Sequence, residues 1–533
     1  MCRLREIKTY EKKEKNMKEF LKLLITQIEC LKDYDEELIE KNEKRLVELF
    51  NNMTLEEQQK TIDIIGNKSS ESLYVISYLL NVIKTELIID AIIKVLENDN
   101  NIEVIESFEV IYQLGAFLFS HYVKYNQLEY YRRVNAVFTN NVKRFSLELG
   151  IEKNVVPLEE RNNGRIAIFA RQICGQGHAP TAKIVNLAEY FRRLGYEVLV
   201  ISCYQGQLQR KSITKWYNPL IENNIFSSTG RFELDYFGLK TQGVNFNYTN
   251  GDDLYGEIVD TITLIKYYNP LFILDLGGNN PIASLCCNVT SVVSMGCTNK
   301  PAITASKLVA RYFRCTEEES RLYDEYQDAH IFEMIHNDEY NAIMGDALDR
   351  KMLGIKEDSF VIIVAGNRLD EEVEGEFLQL LRETIKDNDK VVVTFIGDCK
   401  KLCETFDAEV KIGKVIFTGS VNNYKDVMKI GNLFLNPPRT GGGTGAYYAV
   451  VNDVPVLTLK NCDVAALGKK FCCDSIAEMK KILDIYMNDN EFEKKQKRYC
   501  KEACNSKYVE NNISSVKAFV KELCDYIKTE GTC

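Results

Sequence analysis

The clearest chemistry in the sequence lies in Asn436-Pro-Pro-Arg-Thr-Gly-Gly-Gly-Thr444. The apolar run Leu433-Phe-Leu435 before it reads as a strand, and two prolines stop that strand. Gly441, Gly442 and Gly443 then let the backbone pass close to another group. A helix is expected from about Thr444, and Val454 to Leu459 reads as the next strand. Strand, glycine turn, helix, strand is a layout that holds anions, because N–H groups point outward and a helix N-terminus favours negative charge. The order of glycines is neither a Walker A loop nor GxGxxG. A tight turn that lets helix and strand pack closely accounts for the same residues.

Two α/β units position this loop. The first opens with the strand Arg165 to Ala170 and passes through Gly175-Gln-Gly177-His178-Ala-Pro180-Thr181. A helix follows to about Leu194, then a strand from Glu197 to Ser202. This is a βαβ unit with glycines in its first loop. Further strands are expected at 271–275, 291–294 and 310–313, while 205–255 gives no clear order. The second unit starts with the strand Phe360 to Ala365 and continues through Gly366-Asn-Arg368-Leu-Asp370, a helix to about Ile385 and a strand from Lys390 to Ile396. Strands at 414–418, 432–435 and 454–459 complete it, and the tail from about Ile476 to Ile527 reads as helical.

Before both units, the chain reads as helices only. Thr54 and Glu57 form a capping-box signature, and Gly66-Asn67 is a natural helix end. Ser69 or Ser70 then opens a helix carrying Leu73, Ile76, Leu80 and Ile83 on one face. No catalytic cluster appears there, and His121 reads as a packed histidine. The expected organisation is an all-helical N-terminal domain over 1–155, a Rossmann-like domain over 165–335, a second over 345–505 and a C-terminal helix over 506–533.

Two Rossmann-like domains in tandem, with a glycine-rich helix start in the second, resemble a glycosyltransferase of the GT-B fold. Gly366-Asn-Arg368-Leu-Asp370-Glu-Glu372 resembles the Gly-Arg-Leu turn that opens the donor domain of such enzymes. Asn436 to Thr444 with Ala449 to Val456 resembles their donor-binding segment. Thr440 and Tyr448 stand where the large retaining GT-B family carries two glutamates. Asp463-Val-Ala-Ala-Leu-Gly-Lys469-Lys-Phe471 looks like the tail of the donor site in bacterial HMW1C-type enzymes, which resemble the O-GlcNAc transferases and carry a helical N-terminal domain.

The resemblance implies transfer of a hexose from a nucleotide sugar, with UDP favoured, to a protein or surface-glycan acceptor. The nucleotide sugar would be a substrate, with no cofactor and no metal. The leaving diphosphate then needs cations and N–H dipoles. Arg368 is the first candidate, with Arg439 and Lys469 beside it. The backbone of Gly441, Gly442 and Gly443, the hydroxyls of Thr440 and Thr444, and Asp463 complete the expected donor site. His178 has the unperturbed pKa of a base for the acceptor hydroxyl, or else bonds the loop backbone at a helix start. Asp275 and Asn279, in Asp275-Leu-Gly-Gly-Asn279-Asn280, are expected to touch acceptor or sugar, although a strand-end aspartate also caps loops. His330 and His336 carry no assignment. The alternative is a glycosyltransferase-like subunit that has lost catalysis and stabilises a partner enzyme. A GT-B-like sugar-nucleotide epimerase is a third reading.

The 533 residues, 45% hydrophobic and 27% charged, have ordinary globular composition, and a net charge of −10 argues against a nucleic-acid partner. No apolar run approaches the roughly 20 residues of a membrane span. The first residues lack the apolar core of a signal peptide, so a cytoplasmic protein is expected. The 17 cysteines are scattered without a C-x-x-C pair, and with four histidines they suggest reduced thiols rather than a metal centre. The helical region is a candidate surface for a protein partner.

Overall fold

The computed structural model describes residues 2–33, 35–66, 70–99, 101–121, 127–175, 178–204, 215–220, 224–236, 238–248, 254–298, 302–314, 329–336, 348–421, 423–507 and 512–530. The chain forms two units. One comprises Met1–Ala116, Val123–Glu148 and Gly206–Ile221; the other comprises Phe117–Tyr122, Leu149–Gln205 and Glu222–Cys533.

The first unit is helical. Helices span Cys2–Asp33, Glu36–Asn51, Leu55–Gly66, Leu73–Ile83, Glu86–Asn98 and Gln127–Glu148, and most of Val104–Ser120 belongs here as well. The capping box closes reciprocally: the Thr54 amide donates to Glu57 Oε2 at 2.8 Å, and the Glu57 amide donates to Thr54 Oγ1 at 3.4 Å. Leu73, Ile76 and Leu80 are fully buried, as their spacing requires. Ser70 begins a single 3-10 turn, Ser70–Ser72, ahead of that helix, and Ser69 lies outside the described residues. A piece of the first α/β region joins this unit. The Gln113 side chain accepts the Leu220 amide at 2.8 Å and donates to the Leu220 carbonyl at 2.9 Å, and Ser77 Oγ accepts the Tyr217 amide at 2.8 Å.

The second unit contains two sheets. The first has strands β1 (Asn162–Ala170), β2 (Glu197–Tyr204), β3 (Gly230–Tyr236), β4 (Leu239–Asn247), β5 (Pro270–Leu276), β6 (Val292–Met295), β7 (Leu308–Arg311) and β8 (His330–Glu333). Their order is β3-β4-β2-β1-β5-β6-β7-β8, and every neighbouring pair is parallel except the hairpin β3–β4. The strand expected at 310–313 begins two residues earlier, as β7. The hairpin lies in the stretch whose order the sequence left open. The second sheet has β9 (Phe360–Ala365), β10 (Val391–Ile396), β11 (Val415–Phe417), β12 (Leu433–Leu435), β13 (Val456–Leu459) and β14 (Cys472–Cys473), all parallel, in the order β11-β10-β9-β12-β13-β14.

Central parallel strands need apolar side chains on both faces, and every residue of β5 and β10 is buried. One face of the first sheet packs Ile166, Phe272 and Val293 against Tyr190 and Phe191 of helix Ala179–Arg193 and against Phe519, Val520 and Leu523 of helix Asn512–Glu530. The chain therefore returns from the second sheet to finish on the first, and Asn512 Nδ2 donates to the Tyr190 hydroxyl at 3.0 Å. The second sheet is covered on one face by helices Gly375–Asp387 and Ile476–Asn488, through Phe377, Leu381, Met479 and Leu483. Ala446, Ala449 and Cys500, from helices Gly443–Val451 and Asn490–Lys507, cover the other face. The molecule is thus a helical N-terminal region followed by two doubly wound α/β domains. In such sheets, ligands bind at the loops following the carboxyl ends of the strands. Among the described residues, no helix is long and apolar enough to cross a membrane.

Candidate donor site at the second sheet

The carboxyl ends of β9 and β12 lie side by side, and the loops leaving them meet through three side chains. Arg439 is buried, 4% exposed, and its guanidinium is committed inside the fold. Its Nε donates to Asn436 Oδ1 at 2.8 Å, Nη1 to Glu372 Oε2 at 2.8 Å and Nη2 to the Ala365 carbonyl at 2.9 Å. Glu372 is buried as well and uses its other oxygen on Arg368, accepting from Nη2 at 2.8 Å and from Nε at 3.0 Å. Arg368 Nη2 also donates to the Thr440 carbonyl at 2.8 Å. One carboxylate thus ties two guanidiniums together. Arg439 ties the β12 exit to the end of β9, while Arg368, partly exposed, faces the glycine loop.

The loop's course depends on glycine at two positions. Gly441 and Gly442 have φ of 84° and 78°, in the left-handed region, and a Cβ on Gly442 would collide with the Arg439 guanidinium. Asp463 Oδ2 accepts the Gly441 amide at 2.8 Å, so this buried carboxylate fixes the loop from the far side. Gly442 caps helix Gly443–Val451 without a side-chain hydrogen bond. The first amides of a helix have no intrahelical acceptor, which leaves those of Gly443 and Thr444 at a positive helix end. Gly443 is exposed, and a Cβ there would meet nothing within 4 Å.

The expected donor residues therefore divide by task. Arg368, Thr440, Gly441, Gly442 and Asp463 come together in one network. Arg439 belongs to it as an internal strut rather than as the outward cation expected of it, because all three of its nitrogens bond protein acceptors. The Thr440 hydroxyl donates to the Leu118 carbonyl at 3.3 Å. Tyr448 is buried, with its ring 6.1 Å from that of Tyr424. Neither of the positions where the retaining family carries glutamates thus brings an acid to the loop. Lys469 is exposed on a 3-10 turn past Gly468, and its neighbour Lys470 pairs with Glu502 at 2.9 Å. Glu372 and Asn436 both lay within motifs read from the sequence but were given no role. The spacing of Arg368 and Glu372, four apart at a helix start, is the signal that finds that pair.

At the first sheet the polar residues turn inward. His178 caps helix Ala179–Arg193: its Nδ1 accepts the Thr181 amide at 3.3 Å and lies 2.8 Å from Thr181 Oγ1. Thr181 Oγ1 itself accepts the Cys174 amide at 2.9 Å, so its own hydrogen is free to point at Nδ1. With Nδ1 accepting, the neutral ring carries its proton on Nε2. Burial lowers its pKa to about 4. These features match the capping role and not that of a base, which needs a bare nitrogen facing its substrate.

Asp275 is fully buried on β5. Its Oδ2 accepts from Ser294 Oγ at 3.0 Å, while Oδ1 has no hydrogen-bond partner. Burial raises its pKa to about 7, against the opposing pull of Ser294 and Arg171. The contact with an acceptor or sugar expected of Asp275 is therefore corrected: a central strand covered on both faces gives this carboxylate no route to solvent. Asn279 is half-buried with φ of 51°; its amide donates to Ile303, and its carbonyl accepts from Arg171 Nη1 at 2.6 Å. Among the described residues, no hydrogen bond joins His178, Asp275 or Asn279 to the glycine loop. Of the other histidines, His121 stacks on Phe117 at 4.4 Å, His330 stacks on Tyr526 at 4.1 Å and His336 is buried.

No family model matches the sequence, and no curated protein matches it. Solved structures do match. The chain has the GT-B fold, two Rossmann-like domains in tandem, here preceded by helices. A mutant O-GlcNAc transferase of Thermobaculum terrenum is similar over 97% of this chain and 99% of its own, with a TM-score of 0.53 at 12% identity. The HepE protein of Anabaena, solved with UDP, overlaps 68% of this chain and 100% of its own, with a TM-score of 0.44 at 11% identity. A UDP-GlcNAc 2-epimerase from Methanocaldococcus jannaschii overlaps 67% of this chain and 99% of its own, with a TM-score of 0.40 at 13% identity.

Proposed function

We propose that the protein is a glycosyltransferase that takes a hexose from a nucleotide sugar, with the diphosphate held at the glycine loop. The observation that carries this reading is the glycine loop that starts helix Gly443–Val451 at the carboxyl edge of a parallel sheet, against which partly exposed Arg368 is held by its 2.8 Å bond to the Thr440 carbonyl. Negative charge builds on the diphosphate as the sugar departs. Fixed N–H dipoles and a guanidinium already in place stabilise that charge without reorganising. Glu372 and Arg439 hold the donors still and do not touch the substrate. The site needs no metal to supply positive charge, and we read the reaction as metal-independent. UDP as the nucleotide rests on the resemblance of the donor segment to O-GlcNAc-transferase-like enzymes. A protein or surface-glycan acceptor rests on the same ground. No observation favours the inactive-subunit alternative.

The test is calorimetry with UDP, GDP, their sugars and NAD, on the native chain beside Arg368→Ala and Gly442→Val. A signal specific to one nucleoside diphosphate, lost in both variants, is the expected result. Binding that persists in both variants would move the site elsewhere. Failure of every nucleotide to bind the folded native chain would remove the reading.

A further inference from the structure

One aromatic side chain reaches the glycine loop from a distant part of the sequence. Phe119, in the last turn of helix Val104–Ser120, lies over the Arg368 guanidinium with Cζ 4.2 Å from the ring centroid. Its neighbour Leu118 accepts the Thr440 hydroxyl through its carbonyl at 3.3 Å. A Cβ on Gly441 would stand 3.3 Å from the same ring. Phe119 is nonetheless 40% exposed, so the ring is not there to fill a core. It meets a cation and a bare glycine backbone.

An arginine side chain has several free torsions, and a guanidinium useful to a diphosphate must wait in one plane. Glu372 fixes the Nε edge, and the Thr440 carbonyl fixes Nη2. Two edge contacts still allow the plane to rock about the line joining them, and a ring lying against its face removes that freedom. We infer that Phe119 is a positioning residue for the donor site: it sets the plane of Arg368 and, with Leu118, the height of the glycine loop, so that Nη1 points at the diphosphate. This inference rests on the donor reading above. It adds that donor affinity depends on a residue more than 200 positions before either donor motif.

The experiment measures nucleotide affinity by calorimetry, and KM against kcat with the best donor, for Phe119→Leu, Phe119→Tyr and the double variant Phe119→Leu/Arg368→Ala. Leucine keeps apolar contact but has no ring face; tyrosine keeps the face. We expect Phe119→Leu to weaken donor binding about five- to tenfold, mainly in KM, and Phe119→Tyr to stay within about twofold of native. In the Arg368→Ala background, Phe119→Leu is expected to cost nothing more, because the ring acts through the guanidinium. If native protein binds a nucleotide and Phe119→Leu binds it equally well, the inference falls while the donor reading stands. An equal loss in both backgrounds also overturns it, since the ring would then act by another route. If Phe119→Leu does not fold, Phe119→Tyr and Phe119→Trp decide: a loss beyond about threefold in both, with melting unchanged, contradicts a ring-face role. Absence of nucleotide binding by native protein fails the donor reading itself, and this inference with it.

Discussion

The two sheets share a winding plan, yet their carboxyl edges use polar residues in opposite ways. At the first, Asp275 is sealed beneath its loop, one oxygen bonded to Ser294 and the other without a partner. At the second, the buried carboxylate Glu372 has a guanidinium on each oxygen. The first arrangement favours a neutral acid, because burial penalises the charge more than Ser294 and Arg171 offset it. The second is a strut in which each carboxylate oxygen meets a guanidinium, and Arg368 stays partly exposed. A polar residue at a strand end is thus no sign of a site by itself. What distinguishes the second edge is that its internal charges are mutually satisfied, so further donors are left for a ligand.

The largest effect should come from breaking the strut. Glu372→Ala leaves two guanidiniums without their shared carboxylate, one of them buried, and we expect a loss of about 3–5 kcal/mol in urea unfolding. Arg368→Ala removes only the outer arm and should cost about 1 kcal/mol or less of stability while weakening nucleotide binding at least about tenfold. If Arg368→Ala proved as destabilising as Glu372→Ala, the division between inner strut and outer donor would be wrong.

Asp275 sharpens the contrast through pH. Its folded pKa of about 7 lies above the ordinary 3.8, so the native state keeps a proton that the unfolded chain releases. Stability from this group is complete below about 3.8 and is lost as pH rises through about 7. Asp275→Asn removes the titration. Melting curves of native and variant protein should therefore shift in the variant's favour as pH climbs through that window, then run parallel above it. A gap independent of pH would mean that the carboxylate is charged in the fold after all.

Much of this was legible in the sequence where one signal dominated. Apolar runs bounded by glycine and proline located β1, β5, β9, β10 and the strands flanking the glycine loop. The Thr54–Glu57 box and Gly66 fixed a helix at both ends. The hairpin β3–β4 escaped because charged and polar residues such as Glu233, Asp235, Lys240 and Gln242 interrupt its apolar pattern at a sheet edge. Site chemistry was legible as composition but not as direction. Nothing in the order Pro-Arg-Thr-Gly says that Arg439 turns back toward Ala365, since that depends on an acceptor 74 residues away. Phe119 was invisible for the same reason: its relation to Arg368 exists only in the folded chain.

The smallest effect is expected at His178, and it bears on which lobe supplies the base. If this imidazole takes the acceptor proton, His178→Asn should lower kcat by about 10²–10⁴-fold and erase the acid limb of the pH–rate profile. The geometry argues for less. Asparagine places Oδ1 near where Nδ1 sits, so it can still accept the Thr181 amide and cap the helix. What it loses is Nε2, which in the neutral ring already carries a proton. We therefore expect kcat/KM within about threefold of native, with an unchanged profile. A second readout separates capping from catalysis. The folded pKa of His178 lies near 4, below the ordinary 6.5, so the unfolded chain binds the proton first. This contribution is intact above about 6.5 and is lost as pH falls towards about 4. Asparagine should flatten that part of the stability curve while leaving turnover alone. A steep loss of turnover with the stability curve unmoved would reverse the assignment and return the base to the first sheet.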